Sequence, residues 1–186
     1  MNYFTAELYR NFNHSDRNVS RAAAVTWRTA VQEYRVRLRT IESSFPNGVR
    51  QLAATNFHDH LVLTREFRLP VAGHNGTSNG HLPWQFPIPV FIILLSDPEH
   101  RDRLHSVMYC LRSEPRVVQH ESAHPFHPQA NEWRYDELDF IEGTQSFVHR
   151  ILFGDGMELE ISFYDVMLFD LPLSHSIERT VLETTS

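Results

Sequence analysis

Alternation of apolar and polar residues is longest in the C-terminal part of the chain, between Trp133 and Leu171. Successive side chains of a strand point to opposite faces of a sheet, so alternation at period two predicts strands. Three such runs occur, separated by two breaks that contain glycine, and Asp155-Gly156 in the second break is typical of a tight turn. The segment therefore predicts an antiparallel three-stranded meander.

The same alternation predicts which side chains share a face. In the first run, Trp133, Tyr135 and Ile141 are expected on one side of the strand, with Leu138 and Phe140 on the other. In the third run one apolar face is expected to contain Met157, Leu159, Ile161, Phe163, Met167 and Phe169. A face of this size can serve as the partner of a helix.

Apolar residues spaced by three and four predict an amphipathic helix over residues 16–43, with Ser15 and Asp16 as N-cap residues. A shorter helix is predicted over residues 49–57. Residues 61–69 and 107–111 have the alternation of strands, and residues 90–95 predict a strand buried on both faces. Pro98 is placed to begin one helical turn after that strand.

These elements predict an α+β domain with an antiparallel sheet of about five to seven strands. The long N-terminal helix is expected to cross one face of the sheet, beside the short second helix. The chain is expected to form a single domain over residues 1–186. A helical part over 1–57 is followed by a β-rich part over 58–171, and the polar tail over 172–186 is expected to fray.

Composition narrows the classes of function. The 186 residues have a formal net charge of −6, which argues against general binding to nucleic acid or to anionic lipid. One cysteine excludes an internal disulfide framework and favours the cytoplasm. We see neither a signal peptide nor an apolar run long enough to span a membrane, so no membrane association is expected.

Four stretches of the sequence resemble a family of small uncharacterised bacterial proteins. They are the opening YFTAELYRNFN, the His58-Asp59 pair, the Trp-x-Tyr-Asp-Glu motif at 133–137 and the block FVHRILFGDGMELEISF. Their order and spacing match along most of the chain, although each motif is short. The family has no established activity, so the resemblance implies a single domain and transfers no catalytic residue. His60 and the loop at 70–89 depart from the family pattern.

His58-Asp59-His60 is the first candidate metal site. In an extended chain His58 and His60 share a face with Glu66, and two imidazoles with a carboxylate can bind one divalent ion. The alternative interpretation is structural, with His58 and Asp59 capping the preceding helix or bonding across the sheet.

The segment His120-Glu121-Ser-Ala-His124 matches the His-Glu-x-x-His pattern of zinc hydrolases. In that chemistry the two histidines hold zinc, Glu121 polarises the attacking water, and His127 is a candidate third ligand. Prolines flank the segment and disfavour the helix that this motif requires. The alternative interpretation is a solvated loop that is rich in histidine.

Trp133, Tyr135, Asp136 and Glu137 form a candidate partner-binding edge, with the aromatic side chains as anchors. The alternative is that the two aromatic residues pack on a helix while the acidic pair limits edge-to-edge pairing of the strand. The stretch around Cys110 offers no base to activate a thiol, so this cysteine is expected to be structural.

The leading hypothesis is a non-enzymatic cytoplasmic module that binds a protein partner, such as an accessory or immunity-like subunit. It implies no cofactor. The alternative is a zinc-dependent hydrolase that uses residues 120–124. The oligomeric state stays open.

Overall fold

Three α-helices and seven strands make up the part of the chain that the computed structural model describes, which is residues 1–69, 88–100, 102–118 and 131–172. The helices are α1 (Ala6–Phe12), α2 (Arg17–Ile41) and α3 (Asn47–Ala54), with one 3₁₀ turn (Glu42–Ser44) between the last two. The strands are β1 (Leu61–Arg68), β2 (Val90–Ser96), β3 (Arg103–Leu111), β4 (Arg116–Val118), β5 (Trp133–Ile141), β6 (Ser146–Phe153) and β7 (Glu158–Pro172). The α+β prediction is confirmed.

The long helix begins where its sequence predicts. The side chain of Asp16 accepts a hydrogen bond from the backbone N–H of Asn18 and so caps α2. Helix α3 begins two residues earlier than predicted, directly after Pro46, and it ends three residues earlier, because its backbone becomes extended at Thr55. Phe57 therefore lies outside the helix, although its side chain is buried in the core.

One antiparallel sheet contains all seven strands, in the order β1-β2-β3-β7-β6-β5, and β4 pairs with the start of β7. Strands β5, β6 and β7 are the predicted meander, and Gly156 takes a φ of 85° in the turn between the last two. The sheet curls until its edges touch, because Leu61 of β1 bridges to Glu132 just before β5. The inner face of this curled sheet encloses the main core.

Two bulges change the predicted faces of the meander. Trp133 pairs with Phe153 and Tyr135 pairs with Leu152, so Arg134 is an extra residue and the two aromatic side chains point to opposite faces. In β7 the register shifts near Tyr164, so Phe163 and Val166 lie on the inner face while Met167 lies on the outer face. The prediction of one continuous face from Met157 to Phe169 is therefore wrong.

Helix α3 packs against the inner face of β7. Its Gly48 lies so close to the strand that a Cβ atom would sit 1.8 Å from the carbonyl oxygen of Val166. Val49 and Leu52 of the helix are buried in the same core as Tyr109 and Phe163. This close contact holds the short helix on the sheet.

The long helix α2 lies with α1 on the outer side of β5, and not across the third strand of the meander as predicted. An aromatic cluster fills this layer: the rings of Trp27 and Tyr135 are 4.3 Å apart, and Phe4 contacts both. The hydroxyl oxygen of Tyr34 accepts a hydrogen bond from the backbone N–H of Leu138. Among the described residues, no helix is long and apolar enough to cross a membrane.

Strand β2 is buried on one face only, which corrects the prediction that both faces are covered. Phe91, Ile93 and Leu95 are buried, whereas the alternate residues are partly exposed. After the strand, Asp97 makes a turn instead of the predicted helical turn. Its Oδ1 atom accepts hydrogen bonds from the N–H groups of Glu99 and His100.

Candidate functional site

An apolar surface lies on the outer face of β1, β2, β3 and the second half of β7. The strand registers place its residues in three adjacent cross-strand rows. Residues directly opposite each other in a sheet point to the same face. The rows are Glu66–Ile92–Met108–Met167, Thr64–Leu94–Ser106–Phe169 and Leu61–Ser96–Leu104–Leu171. We call the eight large apolar side chains of these rows the apolar outer face.

The part of the apolar outer face that lies on β7 is exposed to solvent. Met167, Phe169 and Leu171 are 39%, 44% and 43% exposed, and Leu61 is 40% exposed. Within the described residues, the main helix contacts with the sheet are those of α2 with β5 and of α3 with β7, and α3 lies on the inner side. Contiguous exposed apolar surface of this kind typically marks a site of interaction.

A charged row borders the apolar outer face at one end. Arg68 and Glu66 form an exposed ion pair at 2.9 Å, and Asp165 lies across the sheet in the same row as Cys110. Burial raises the pKa of the Cys110 thiol, and the Asp165 carboxylate adds to this shift. The thiol is therefore protonated at neutral pH, which supports the prediction of an unreactive cysteine.

Two members of the predicted partner-binding edge are buried. Trp133 is 0% exposed, and its Nε1–H donates to Asp136 at 3.1 Å. The other carboxylate oxygen of Asp136 is 3.0 Å from Nε2 of His149, whose Nδ1 is 2.8 Å from the hydroxyl of Tyr109. This chain of bonds joins three strands inside the core, so Trp133 is not available to a partner in this conformation.

Glu137 is also buried, at 1% exposure, and it holds the N-terminal segment on β5. Its two carboxylate oxygens accept hydrogen bonds from the backbone N–H groups of Asn2, Tyr3 and Phe4, at 2.8, 2.6 and 2.7 Å. A carboxylate with three such donors is well satisfied without a cation. Its contacts are thus internal, and only Tyr135 and Asp136 of the predicted edge are partly exposed.

The two histidines of the first candidate metal site have different neighbours. His58 is 3.0 Å from a carboxylate oxygen of Asp59, which also pairs with Arg134. Glu66 pairs with Arg68 on the outside of the sheet, so the predicted set of His58, His60 and Glu66 does not come together. The side chain of His60 instead lies at the end of the sheet.

The structure gives His60 two neighbours that the sequence analysis missed, Asp97 and His105. Their ligand atoms all lie within 4.8 Å of one another, which makes these three residues the group that can hold a metal in the described part of the chain. Each sits at or near the end of a strand; Asp97 and His105 lie on either side of the connection between β2 and β3, and His60 is far from both in sequence. Only the pairing of β1, β2 and β3 brings them together, so no local motif reveals them.

The other candidate residues lie outside the described residues. These are His120, Glu121, His124 and His127, and most of the loop at 70–89. The zinc hydrolase hypothesis on this segment stays a prediction.

The sequence matches no protein-family model and no curated protein. The resemblance to the bacterial family stays an expectation from its motifs.

Proposed function

We propose that this protein is a non-enzymatic cytoplasmic interaction module, of the accessory or immunity-like kind, that binds an amphipathic helix of a protein partner on its apolar outer face. The observation that carries the proposal is the three-row arrangement of large apolar side chains, with Met167, Phe169 and Leu171 exposed. Sheets bury an apolar face against another layer, and a helix is a common second layer. Helix α3 is this second layer on the inner side of the sheet. On the apolar outer face, the helix of the partner would form the second layer.

The dimensions of the face suit one helix. Four strands at about 4.8 Å spacing span roughly 15 Å, and a helix with its side chains is about 10 Å wide. Three rows along the strands cover roughly 14 Å, which corresponds to between two and three helical turns. Met108 and Met167 are neighbours in one row, and flexible methionine side chains adapt well to a partner surface.

Electrostatics indicates the character of the partner helix. The chain has a net charge of −6, and Asp165 borders the apolar outer face, whereas the charge of Glu66 is balanced by Arg68. Complementary charge across an interface speeds association and selects the partner. The proposed helix therefore has an apolar stripe flanked by lysine or arginine.

Site-specific photo-crosslinking in cells of the source organism tests this proposal. A photoreactive residue replaces Phe169 in one variant and Val36 in a control, because Val36 is an exposed apolar residue of α2 on another surface. We expect a discrete adduct with a different protein from position 169, none from position 36, and loss of the adduct when Leu171→Glu is added. Absence of an adduct, or an adduct of two copies of this chain, would contradict the proposal.

A further inference from the structure

A cluster of polar side chains lies at one end of the sheet, on the side opposite the apolar outer face. His60 lies between α3 and β1, Asp97 directly follows β2, and His105 lies in β3. His105 pairs with Leu95 and Asp170, so it belongs to the inner face. The rings of His60 and His105 are 5.3 Å apart between centroids.

A hydrogen bond at one ring nitrogen of His105 determines which nitrogen is available to bind a metal. Its Nδ1 lies 2.7 Å from Oδ1 of Asp170, a hydrogen bond in which the ring donates. When this ring is neutral, its lone pair is on Nε2, which is 3.6 Å from Oδ2 of Asp97. A carboxylate that holds the far nitrogen of a histidine is the usual outer partner of a metal-binding imidazole.

His60 is held in the same way by a backbone carbonyl. Its Nδ1 faces the carbonyl oxygen of His58 at 3.4 Å, which leaves Nε2 as the free nitrogen. The residue is 9% exposed, and this burial lowers the pKa of its imidazole. A neutral imidazole is the form that binds metals.

Asp97 supplies a fixed anion. Its partial burial alone would raise the pKa, but hydrogen bonds from the N–H groups of Glu99 and His100 and from the His100 ring, with a smaller contribution from the His105 ring, hold the pKa well below its usual range. The two amides occupy Oδ1, so Oδ2 is directed toward His100 and His105. The carboxylate is ionised and its orientation is set before any ligand arrives.

One distance within this group is longer than a hydrogen bond. At 3.6 Å, the distance between Asp97 Oδ2 and His105 Nε2 exceeds that of a hydrogen bond. It is close to the separation of about 3.3 Å between two ligand atoms of a tetrahedral zinc site with bonds near 2.0 Å. A small movement of either side chain would suffice for both to bind one ion.

We propose that His60, Asp97 and His105 bind one divalent transition-metal ion, with zinc as the best match, and that a fourth coordination position faces the pocket beside them. Two imidazole nitrogens and one carboxylate oxygen form a donor set that zinc accepts readily, whereas magnesium and calcium prefer oxygen alone. The pocket has a volume of about 290 Å³ and is lined by the three ligands together with His58, Glu99 and His100. It has room for water or for a small anionic group on the metal.

The proposed ligands lie on the side of the sheet opposite the proposed interaction surface, and the test separates them from the histidines at 120–127. The distinction matters because a histidine-rich chain can bind zinc in more than one place. The test therefore uses full-length protein without a histidine tag, stripped with a chelator and titrated with zinc against a chromophoric competitor. Three substitutions are compared with the unmodified chain: H105Q, the double variant H120Q/H124Q, and the control H14Q, because His14 lies between α1 and α2 and does not line the pocket.

We expect H105Q to bind zinc at least 100-fold more weakly at one equivalent, while H14Q and H120Q/H124Q retain that equivalent. Circular dichroism establishes that H105Q is folded, and His60→Gln is substituted for it if it is not. Saturating zinc should also raise the thermal midpoint of the unmodified chain but not that of Asp97→Asn, since binding to the folded state stabilises it. Retention of all zinc by H105Q, or loss of zinc only in H120Q/H124Q, would overturn the proposal.

Discussion

The Oε1 atom of Glu137 accepts a hydrogen bond from the backbone N–H of Phe4 at 2.7 Å, which ties the N-terminal segment to β5. Glu137→Gln keeps the shape but turns one acceptor into a donor, which then faces the N–H of Asn2. An unsatisfied buried polar group costs about 2–3 kcal/mol. We expect a loss of unfolding free energy of that size, measured by urea denaturation.

Glu66→Gln is the matched control for this change, because Glu66 is an exposed carboxylate whose ion-pair partner among the described residues is Arg68. Exposed ion pairs contribute little to stability. We expect no measurable shift of its urea midpoint. Equal shifts for Glu137→Gln and Glu66→Gln would show that the N-terminal segment does not depend on the buried carboxylate.

Gly48→Ala should be among the most destabilising small changes in the chain. Alanine normally favours a helix, but here its Cβ would lie 1.8 Å from the carbonyl oxygen of Val166. Because the obstacle is backbone, the helix must move off the strand, and we expect a cost of more than about 3 kcal/mol. Denaturation curves and the yield of folded protein measure the effect.

Gly143→Ala serves as the comparison. Gly143 has a φ of 73° and nothing within 4 Å of the added Cβ, so only backbone strain of about 1–2 kcal/mol is expected. A cost for Gly48→Ala no larger than that for Gly143→Ala would mean that α3 and β7 are not in close contact.

Tyr109→Phe tests the buried chain of bonds around His149. Since Nε2 of His149 faces the Asp136 carboxylate, its Nδ1 accepts from the Tyr109 hydroxyl at 2.8 Å. Removal of this hydroxyl leaves a buried acceptor without a donor, at a cost of about 1–3 kcal/mol. Calorimetry should show a lower midpoint for Tyr109→Phe than for Tyr3→Phe, and identical midpoints would argue against the bond.

Cys110 should react slowly with alkylating reagents at neutral pH. Burial, together with the Asp165 carboxylate, raises the pKa of its thiol, and only the thiolate reacts. Below that raised pKa the thiolate fraction is smaller than in free cysteine. We therefore expect a slower rate at pH 7.5 and a steeper rise above pH 9, followed by mass spectrometry with free cysteine as reference. A rate equal to that of free cysteine would contradict the shift.

Local patterns predicted most elements of the fold. The spacing of apolar residues and the capping type of Asp16 specify α2, and alternation specifies β5, β6 and β7. These signals depend only on neighbours in sequence, so they are visible without coordinates. The same pattern misplaced the faces of β7, because a bulge adds one residue near Tyr164 and strict alternation takes no account of it.

The sequence of β7 contains a signal of that bulge. Polar Asp165 falls on the predicted apolar face of β7, while Val166 on the other side is only 1% exposed. When a polar residue interrupts the apolar face and apolar residues begin on the opposite face, the alternation has shifted by one residue. By contrast, no pattern within β1, β2 or β3 indicates that His60 meets His105, since that contact depends on how the strands pair.

The pairing of β3 with β7 has a consequence for the kinetics of folding. These two strands lie side by side at the centre of the sheet, although β4, β5 and β6 come between them in the chain. Pairing of the two strands closes that long loop, and the conformational entropy that the chain loses on closure opposes formation of the centre of the sheet. Helix α2 can form within microseconds, whereas we expect the complete sheet to take milliseconds to seconds. Until β7 pairs with β3, Phe91 and Tyr109 lack the burial that they have in the complete sheet.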